Sequence, residues 1–250
     1  MKINDSREKA ELIKAPNIKF PHAFSGRKGG VSEDAFFSLN VGFDIGDRDE
    51  NVRENRRIFA ESAGFDPNST VWMKQIHSAD VRYVASVPET VPECDGLVTD
   101  VKGLALCVKT ADCAPILLCD GDAGVIGAVH AGWRGTVAGI AAECLRIMKS
   151  RGAKTENISA AIGPCIRKCC YGIDEPFIRA VREAVGSELC EKYVQNGFAD
   201  IAGLNVALLK NAGVTDIHVI DACTCCRPES FFSHRYSHGK RGVMGSGICM

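Results

Sequence analysis

Short, unbroken apolar runs alternate along this chain with stretches of helical spacing, and together they predict a mixed α/β protein. Gly103 to Val108, Ala114 to Cys119 and Val125 to Val129 are apolar throughout and bounded by Gly, Asp or Thr, the pattern of adjacent buried strands. Thr70 to Gln75, Val81 to Ala85, Ile158 to Ile162 and Asp216 to Asp221 read as further short strands. The clearest helix is Thr136 to Lys149, where Val137, Ile140, Ala141, Cys144, Leu145 and Met148 recur at helical spacing before Gly152. A polar-faced helix is expected from a cap at Asp49 through Val52, Ile58, Phe59 and Ala63 to a stop at Gly64. Two more are expected near Glu175 to Val185 and Ile201 to Asn211. The loop from Phe24 to Ser32 is too dense in Gly and Ser for regular structure. With no internal repeat, low-complexity stretch or point of division, residues 1–250 are expected to form a single domain.

Charge narrows the partners. Thirty basic residues against thirty-one acidic ones leave a net charge of −1, so no chain-wide positive field exists to hold nucleic acid or an anionic membrane. Met1 to Leu12 is charged and lacks the apolar run of an export signal, and no stretch nears the roughly 20 apolar residues of a membrane span. A soluble, cytoplasmic protein is the expectation. The thirteen cysteines would suggest a disulfide framework in a secreted chain, but their number is odd and 250 residues need no staples. Reduced thiols and metal ligands are the better account.

Three segments place metal-binding side chains where strands end: Gln75-Ile76-His77-Ser78, Thr110-Ala111-Asp112-Cys113, and Val129-His130-Ala131-Gly132-Trp133-Arg134-Gly135. Zinc accepts imidazole and thiolate together, and three protein ligands leave a fourth position open, as catalytic sites require. His77, Cys113 and His130 make such a set, although each taken alone is more often a surface or core residue than a ligand.

The surrounding sequence resembles the bacterial multicopper-oxidase-like laccase-domain family, also called purine nucleoside phosphorylase or peptidoglycan editing factor proteins. The likeness runs through Phe24-Ser25-Gly26-Arg27, Ser38-Leu39-Asn40, Gln75-Ile76-His77, Asp95-Gly96-Leu97-Val98-Thr99, Thr110-Ala111-Asp112-Cys113, His130-Ala131-Gly132-Trp133-Arg134-Gly135, Cys169-Cys170-Tyr171 and Phe231-Phe232-Ser233-His234-Arg235. It implies zinc at His77, Cys113 and His130, and a layered mixed-sheet α/β sandwich like that of cysteine-hydrolase toxins. It also implies phosphorolysis of adenosine, inosine, guanosine or methylthioadenosine, and hydrolytic deamination of adenosine. Purine nucleosides and phosphate are the implied partners; the oligomeric state is not disclosed.

Each chemistry needs particular groups. Deamination needs an activated water and a proton shuttle, for which Asp112 beside Cys113 is the candidate carboxylate, support of the metal ligand being its other role. The H-x-E…P-C-x-x-C signature of zinc deaminases is absent. Phosphorolysis needs an anion site, and Arg27, Arg134 and Arg235 are the candidate phosphate holders because a guanidinium meets phosphate with two parallel donors. Asn40 is a candidate for a ribose hydroxyl or the base, or for satisfying loop backbone. Arg235 is followed by Tyr236 where relatives carry a second arginine, and the tail reads Gly239-Lys240-Arg241-Gly242.

Three other readings compete. Copper ranks behind zinc, because six histidines, only two of them in ligand motifs, are too few for a multinuclear copper oxidase acting on phenols. Cys113 with His130 as base would instead make a thiol amidohydrolase that edits cell-wall precursors. A non-enzymatic metal-binding module would be expected to close the fourth position with protein. Two further clusters, Cys165/Cys169/Cys170 and Cys223/Cys225/Cys226, do not read as the paired C-x-x-C arrangement of zinc or iron–sulfur sites and are expected to be buried thiols.

Overall fold

The computed structural model describes residues 10–43 and 45–250. The reading made of the charged N-terminal segment therefore lies, for residues 1–9, outside the described residues.

Two β-sheets stack face to face. One contains β1 (Leu12–Ile13), β2 (His22–Ser25), β3 (Thr70–Trp72), β6 (Ala105–Thr110) and β13 (Met244–Cys249) in the order β1-β2-β13-β6-β3. The other contains β4 (Val81–Tyr83), β5 (Gly96–Thr99), β7 (Ala114–Asp120), β8 (Val125–Ala131), β9 (Ile158–Ile162) and β12 (Asp216–Val219) in the order β12-β9-β7-β8-β5-β4. A ribbon of β10 (Val194–Gln195) and β11 (Phe198–Ala199) stands apart. The helices are α1 (Asp49–Ala63), α2 (Trp133–Val137), α3 (Ile140–Ser150), α4 (Glu175–Tyr193), α5 (Ile201–Asn211) and α6 (His234–Ser237).

The unbroken apolar runs follow from burial on both faces. Leu117, Ile126 and Ala128 point from the larger sheet toward Phe24, Leu106, Val108 and Ile248 of the smaller one. Their neighbours Ile116, Leu118 and Val129 point the other way, against Ile140, Cys144 and Met148 of α3 and Leu209 of α5. On the far side of the smaller sheet, Ala23, Ala105 and Cys107 pack on Phe59, Ala60 and Ala63 of α1. The architecture is a layered α/β sandwich, helices outside and two sheets within.

Several expectations are corrected. The run Gly103 to Val108 gives a buried strand that starts only at Ala105 and is not a neighbour of the next two, since β6 pairs with β13 and β3 in the opposite sheet. The helix expected over Thr136 to Lys149 is two helices, broken at Gly139 (φ +84°). The helix near Glu175 runs on to Tyr193 with a break at Gly186 (φ +82°). Asp49 is the first helical residue of α1 rather than its cap, which is Arg48. Strands β2, β5 and β13 were not expected.

Crossings between the sheets create the site. The chain leaves β3 in one sheet and enters β4 in the other through the His77 loop, and leaves β6 for β7 through Asp112 and Cys113. Pro115 of β7 pairs with His130 of β8, so His130 stands at the same end of the sandwich.

Candidate metal centre

Ligand atoms of His77, Cys113 and His130 all lie within 4.8 Å of one another. His130 is buried in β8, Cys113 is half-buried, and His77 is exposed at the rim. Two of the turns that deliver them are held in the left-handed region: φ is +59° at His77 and +93° at Asp112. Such backbone costs about 1–3 kcal/mol per residue and persists only where the surroundings impose it.

Asp95, fully buried just before β5, supplies much of that constraint. Its Oδ1 accepts from His77 N at 3.1 Å and its Oδ2 from Ile76 N at 3.1 Å, Ser78 N at 2.7 Å and Ser78 Oγ at 2.8 Å. His130 Nδ1 donates to Asp95 Oδ1 at 2.7 Å. A carboxylate partner fixes the proton on Nδ1, which leaves Nε2 as the ligating nitrogen. Burial works to raise the Asp95 pKa, but the His130 and Ser78 hydrogen bonds outweigh it and hold the carboxyl at about 2. Burial also opposes a charged His130, yet the Cys113 sulfur and Asp95 outweigh it and raise the imidazole to about 9. His77 moves down, through burial and then the charge of His130.

Gly132 leaves the room the side chains need. A Cβ built there would lie 3.0 Å from His77 Nδ1 and 3.3 Å from Cys113 Sγ. Two imidazoles and a thiol around that space, with the tautomer of one ring fixed, suit a tetrahedral N,N,S metal ion with one open position.

The centre opens into a cavity of about 490 Å³ whose wall carries Arg134, Arg235, Arg241, Trp133, Tyr171 and Asp112. Among the described residues, the Arg134 guanidinium has no hydrogen-bond or ion-pair partner, and it lies 4.4 Å above the Trp133 ring. Arg235 is held by the carbonyls of Gly172 at 3.0 Å and Cys170 at 3.3 Å. Arg241 is half-buried, and its buried Nε has no partner among the described residues. Desolvation lowers its pKa, with Asp112 and Cys113 acting in the opposite direction. A second cavity of about 350 Å³ shares Trp133, Arg134, Tyr171 and Arg235 and adds Phe177, which packs 5.2 Å from Trp133 and 5.7 Å from Tyr171.

The other expected site residues fall differently. Both Asp112 oxygens are engaged, Oδ1 by Thr224 Oγ1 at 2.6 Å and Oδ2 by Arg235 N at 2.7 Å. Asn40 is not brought to the cavity. It is fully buried, its Nδ2 donates to Gly42 O and Asp47 Oδ2, and its Oδ1 accepts from Gly42 N and Val243 N, so every bonding position is spent on loop structure. Arg27 also lies outside the lining, where it donates to Phe37 O at 2.8 Å and Pro228 O at 2.6 Å beside the Phe232 ring. In its place stands Arg241, together with Asp95 and Tyr171, three residues that reasoning from the sequence did not assign. Asp95 stands in the sequence only as the first residue of the motif Asp95-Gly96-Leu97-Val98-Thr99, and nothing local ties it to His130.

These features place the chain among layered α/β proteins with a His-Cys-His centre that opens on a cationic, aromatic-walled cavity. A family model described as multi-copper polyphenol oxidoreductase laccase matches residues 21–250, and the chain belongs to that family. It is 40% identical over 233 residues to a Deinococcus radiodurans protein named purine nucleoside phosphorylase, covering 93% of this chain and 90% of that one. It is also 40% identical over 205 residues to purine nucleoside phosphorylase ORF3 of Streptomyces griseus, covering 81% and 83%. The crystal structure of YlmD from Geobacillus stearothermophilus superposes with a TM-score of 0.89 at 34% identity, covering 97% of each chain.

Proposed function

We propose that this protein is a cytoplasmic, single-domain, zinc-dependent purine nucleoside phosphorylase that also deaminates adenosine. The observation that carries the proposal is the meeting, in one cavity, of the His77/Cys113/His130 centre, the guanidinium groups of Arg134, Arg235 and Arg241, and the rings of Trp133 and Tyr171. Adenosine, inosine, guanosine and methylthioadenosine share the purine and ribose that such a cavity would hold, and relatives at 40% identity bear the phosphorylase name.

Bound at His77, Cys113 and His130, zinc would supply Lewis acidity and an acidified water. The protein groups do the rest. Trp133 and Tyr171 offer faces for the purine. Arg134, whose guanidinium has no acceptor among the described residues, and Arg241, whose Nε has none among them, hold phosphate, while Arg235 is aimed by the Gly172 carbonyl. A hydrogen phosphate oxygen so held bonds to ribose C1′ as the glycosidic bond breaks, and the proton the phosphate gives up goes to the departing purine nitrogen. In deamination, water adds at C6 of adenosine and ammonia departs. The hydrogen bonds of Asp112 to Thr224 and Arg235 favour its supporting role, setting the turn that presents Cys113. Arg27 and Asn40 act on the loops rather than on the substrate in this reading.

Zinc is preferred to copper because only two imidazoles, His77 and His130, belong to a metal-ligand group among the described residues, too few for a multinuclear copper centre. A second reading rests on one observation: Cys113 against His130, with His130 Nδ1 donating to Asp95, also has the order of a thiol-imidazole-carboxylate triad. That would make the chain a thiol amidohydrolase acting on cell-wall precursors, with a sandwich of the cysteine-hydrolase-toxin type.

The test is mass-resolved product analysis of adenosine incubated with zinc-loaded protein, with and without phosphate. Adenine and ribose 1-phosphate only with phosphate, inosine with or without it, and neither from Cys113→Ala are the expected results. Activity on an amide that survives chelation and is lost to iodoacetamide would instead establish the second reading.

A further inference from the structure

Four cysteines outside the cavity meet in space. We propose that Cys169, Cys170, Cys223 and Cys226 form a second metal centre, a tetrathiolate zinc site that clips together the loops following β9 and β12. Their sulfurs all lie within 4.8 Å of one another, with Cys226 Sγ 3.4 Å from Cys169 Sγ and 3.3 Å from Cys170 Sγ.

The fold brings them together for a simple reason. Strands β9 and β12 are parallel neighbours, with Ile162 opposite Val219, so the chain leaves both at the same end of the sheet. The pairing continues past the strands as an isolated bridge between Cys165 and Cys223, and Thr224 N donates to Cys165 O at 3.1 Å. Cys223 and Cys226 then form a C-x-x-C turn, and Cys169-Cys170 supplies the other two sulfurs across the gap. The expectation of buried thiols is corrected for these four, which are exposed or half-exposed; only Cys165 of the two clusters is buried. The sequence hid the arrangement because one half is an adjacent pair and the halves are more than fifty residues apart.

The distances select the ion. A tetrahedron with metal–sulfur bonds of about 2.3 Å has sulfur–sulfur edges of about 3.8 Å, and sulfurs confined within 4.8 Å need only small adjustments to reach it. A four-iron cluster places iron and sulfide between its thiolates and spreads them much farther. The backbone N–H groups of Arg167 and Cys226 face the Cys223 sulfur. Donors of that kind around a ligating sulfur are the usual outer support of thiolate metal sites. Zinc is therefore the ion these groups fit, with all four positions closed by protein, which marks a structural site.

The clip reaches the cavity through its own residues. Gly172, two residues past Cys170, carries the carbonyl that holds Arg235 at 3.0 Å, and Thr224, between Cys223 and Cys226, holds Asp112 at 2.6 Å. Zinc here would fix the wall that contains Tyr171 and Arg235 without touching substrate.

The test uses Cys113→Ala protein, in which the first centre has lost its thiol, purified under reducing conditions without chelator. Elemental analysis is expected to find about one zinc per chain, and zinc-edge X-ray absorption to find four sulfur neighbours at about 2.3 Å. Adding Cys223→Ser and Cys226→Ser is expected to empty the site; if that variant does not fold, the sulfur count in Cys113→Ala protein decides alone. Folded Cys113→Ala protein without zinc would overturn the proposal. So would nitrogen neighbours in place of sulfur, iron or copper at the site, or a mass deficit of hydrogens that maps disulfides to these four residues.

Discussion

Replacing Asp95 by Asn keeps the size of the side chain but removes the charge on which five donors converge: the backbone N–H groups of Ile76, His77 and Ser78, the Ser78 hydroxyl and His130 Nδ1. An amide has one accepting oxygen. If its NH2 takes the place of Oδ2, it faces the N–H groups of Ile76 and Ser78, and each stranded buried donor costs about 1–3 kcal/mol. If the NH2 takes the place of Oδ1, it faces His130 Nδ1 and favours the tautomer that puts the proton on Nε2, where the metal should bind. Either way zinc affinity is expected to fall about 10- to 100-fold, and the metal-free protein to lose about 2–5 kcal/mol.

The pH dependence has a definite sign. In the folded protein Asp95 titrates near 2 instead of 3.8, a difference of about 2 kcal/mol. That stability is complete above the unfolded value and is lost as pH falls through the folded one, so between about pH 4 and pH 2 the wild type should lose stability that Asp95→Asn never had. Competitive zinc titration against a chromophoric chelator, and thermal unfolding of chelator-stripped protein from pH 2 to 7, check both parts. An Asp95→Asn variant with wild-type zinc affinity and an unchanged melting temperature would refute the reasoning.

Other perturbations separate the roles of the surrounding residues. Gly132→Ala places a Cβ against His77 and Cys113, and overpacking of about 1–3 kcal/mol should weaken zinc binding by about 5- to 100-fold in the same titration. Arg241→Met removes a buried Nε donor that has no partner among the described residues; initial-rate kinetics should show the Michaelis constant for phosphate rising about 10- to 100-fold while denaturant stability does not fall. Asn40→Ala strands the Gly42 and Val243 N–H donors and the Gly42 and Asp47 acceptors and should cost about 2–5 kcal/mol in chemical denaturation, with the Michaelis constant for adenosine unchanged.

The strands buried on both faces were legible because a short, unbroken apolar run between polar breaks suits a doubly covered strand and little else, and β7, β8 and β9 lie close to where they were expected. Sheet membership was not, since β6 resembles its neighbours in composition yet pairs with β13, a strand from the far end of the chain whose two glycines give it little apolar signal. Gly139 broke a helix whose apolar spacing continues across it, because spacing reports a face and not backbone dihedrals. The three candidate ligands stood in recognisable motifs, whereas Asp95 meets His130 only once β5 pairs with β8, and Arg241 joins the cavity wall only once the two sheets stack. Arg27 and Asn40 stand in equally recognisable motifs, yet their side chains bond the carbonyls of Phe37 and Pro228 and the loop groups of Gly42, Asp47 and Val243, partners that no motif displays.

Incubation of zinc-loaded protein with adenosine and phosphate labelled with oxygen-18 at every oxygen tests most directly whether the centre and the arginine cluster serve one reaction. The account predicts ribose 1-phosphate that retains every label, together with adenine, and loss of both products in Cys113→Ala and their reduction in Arg241→Met. Adenine released with free ribose, undiminished in Cys113→Ala or without phosphate, would contradict it.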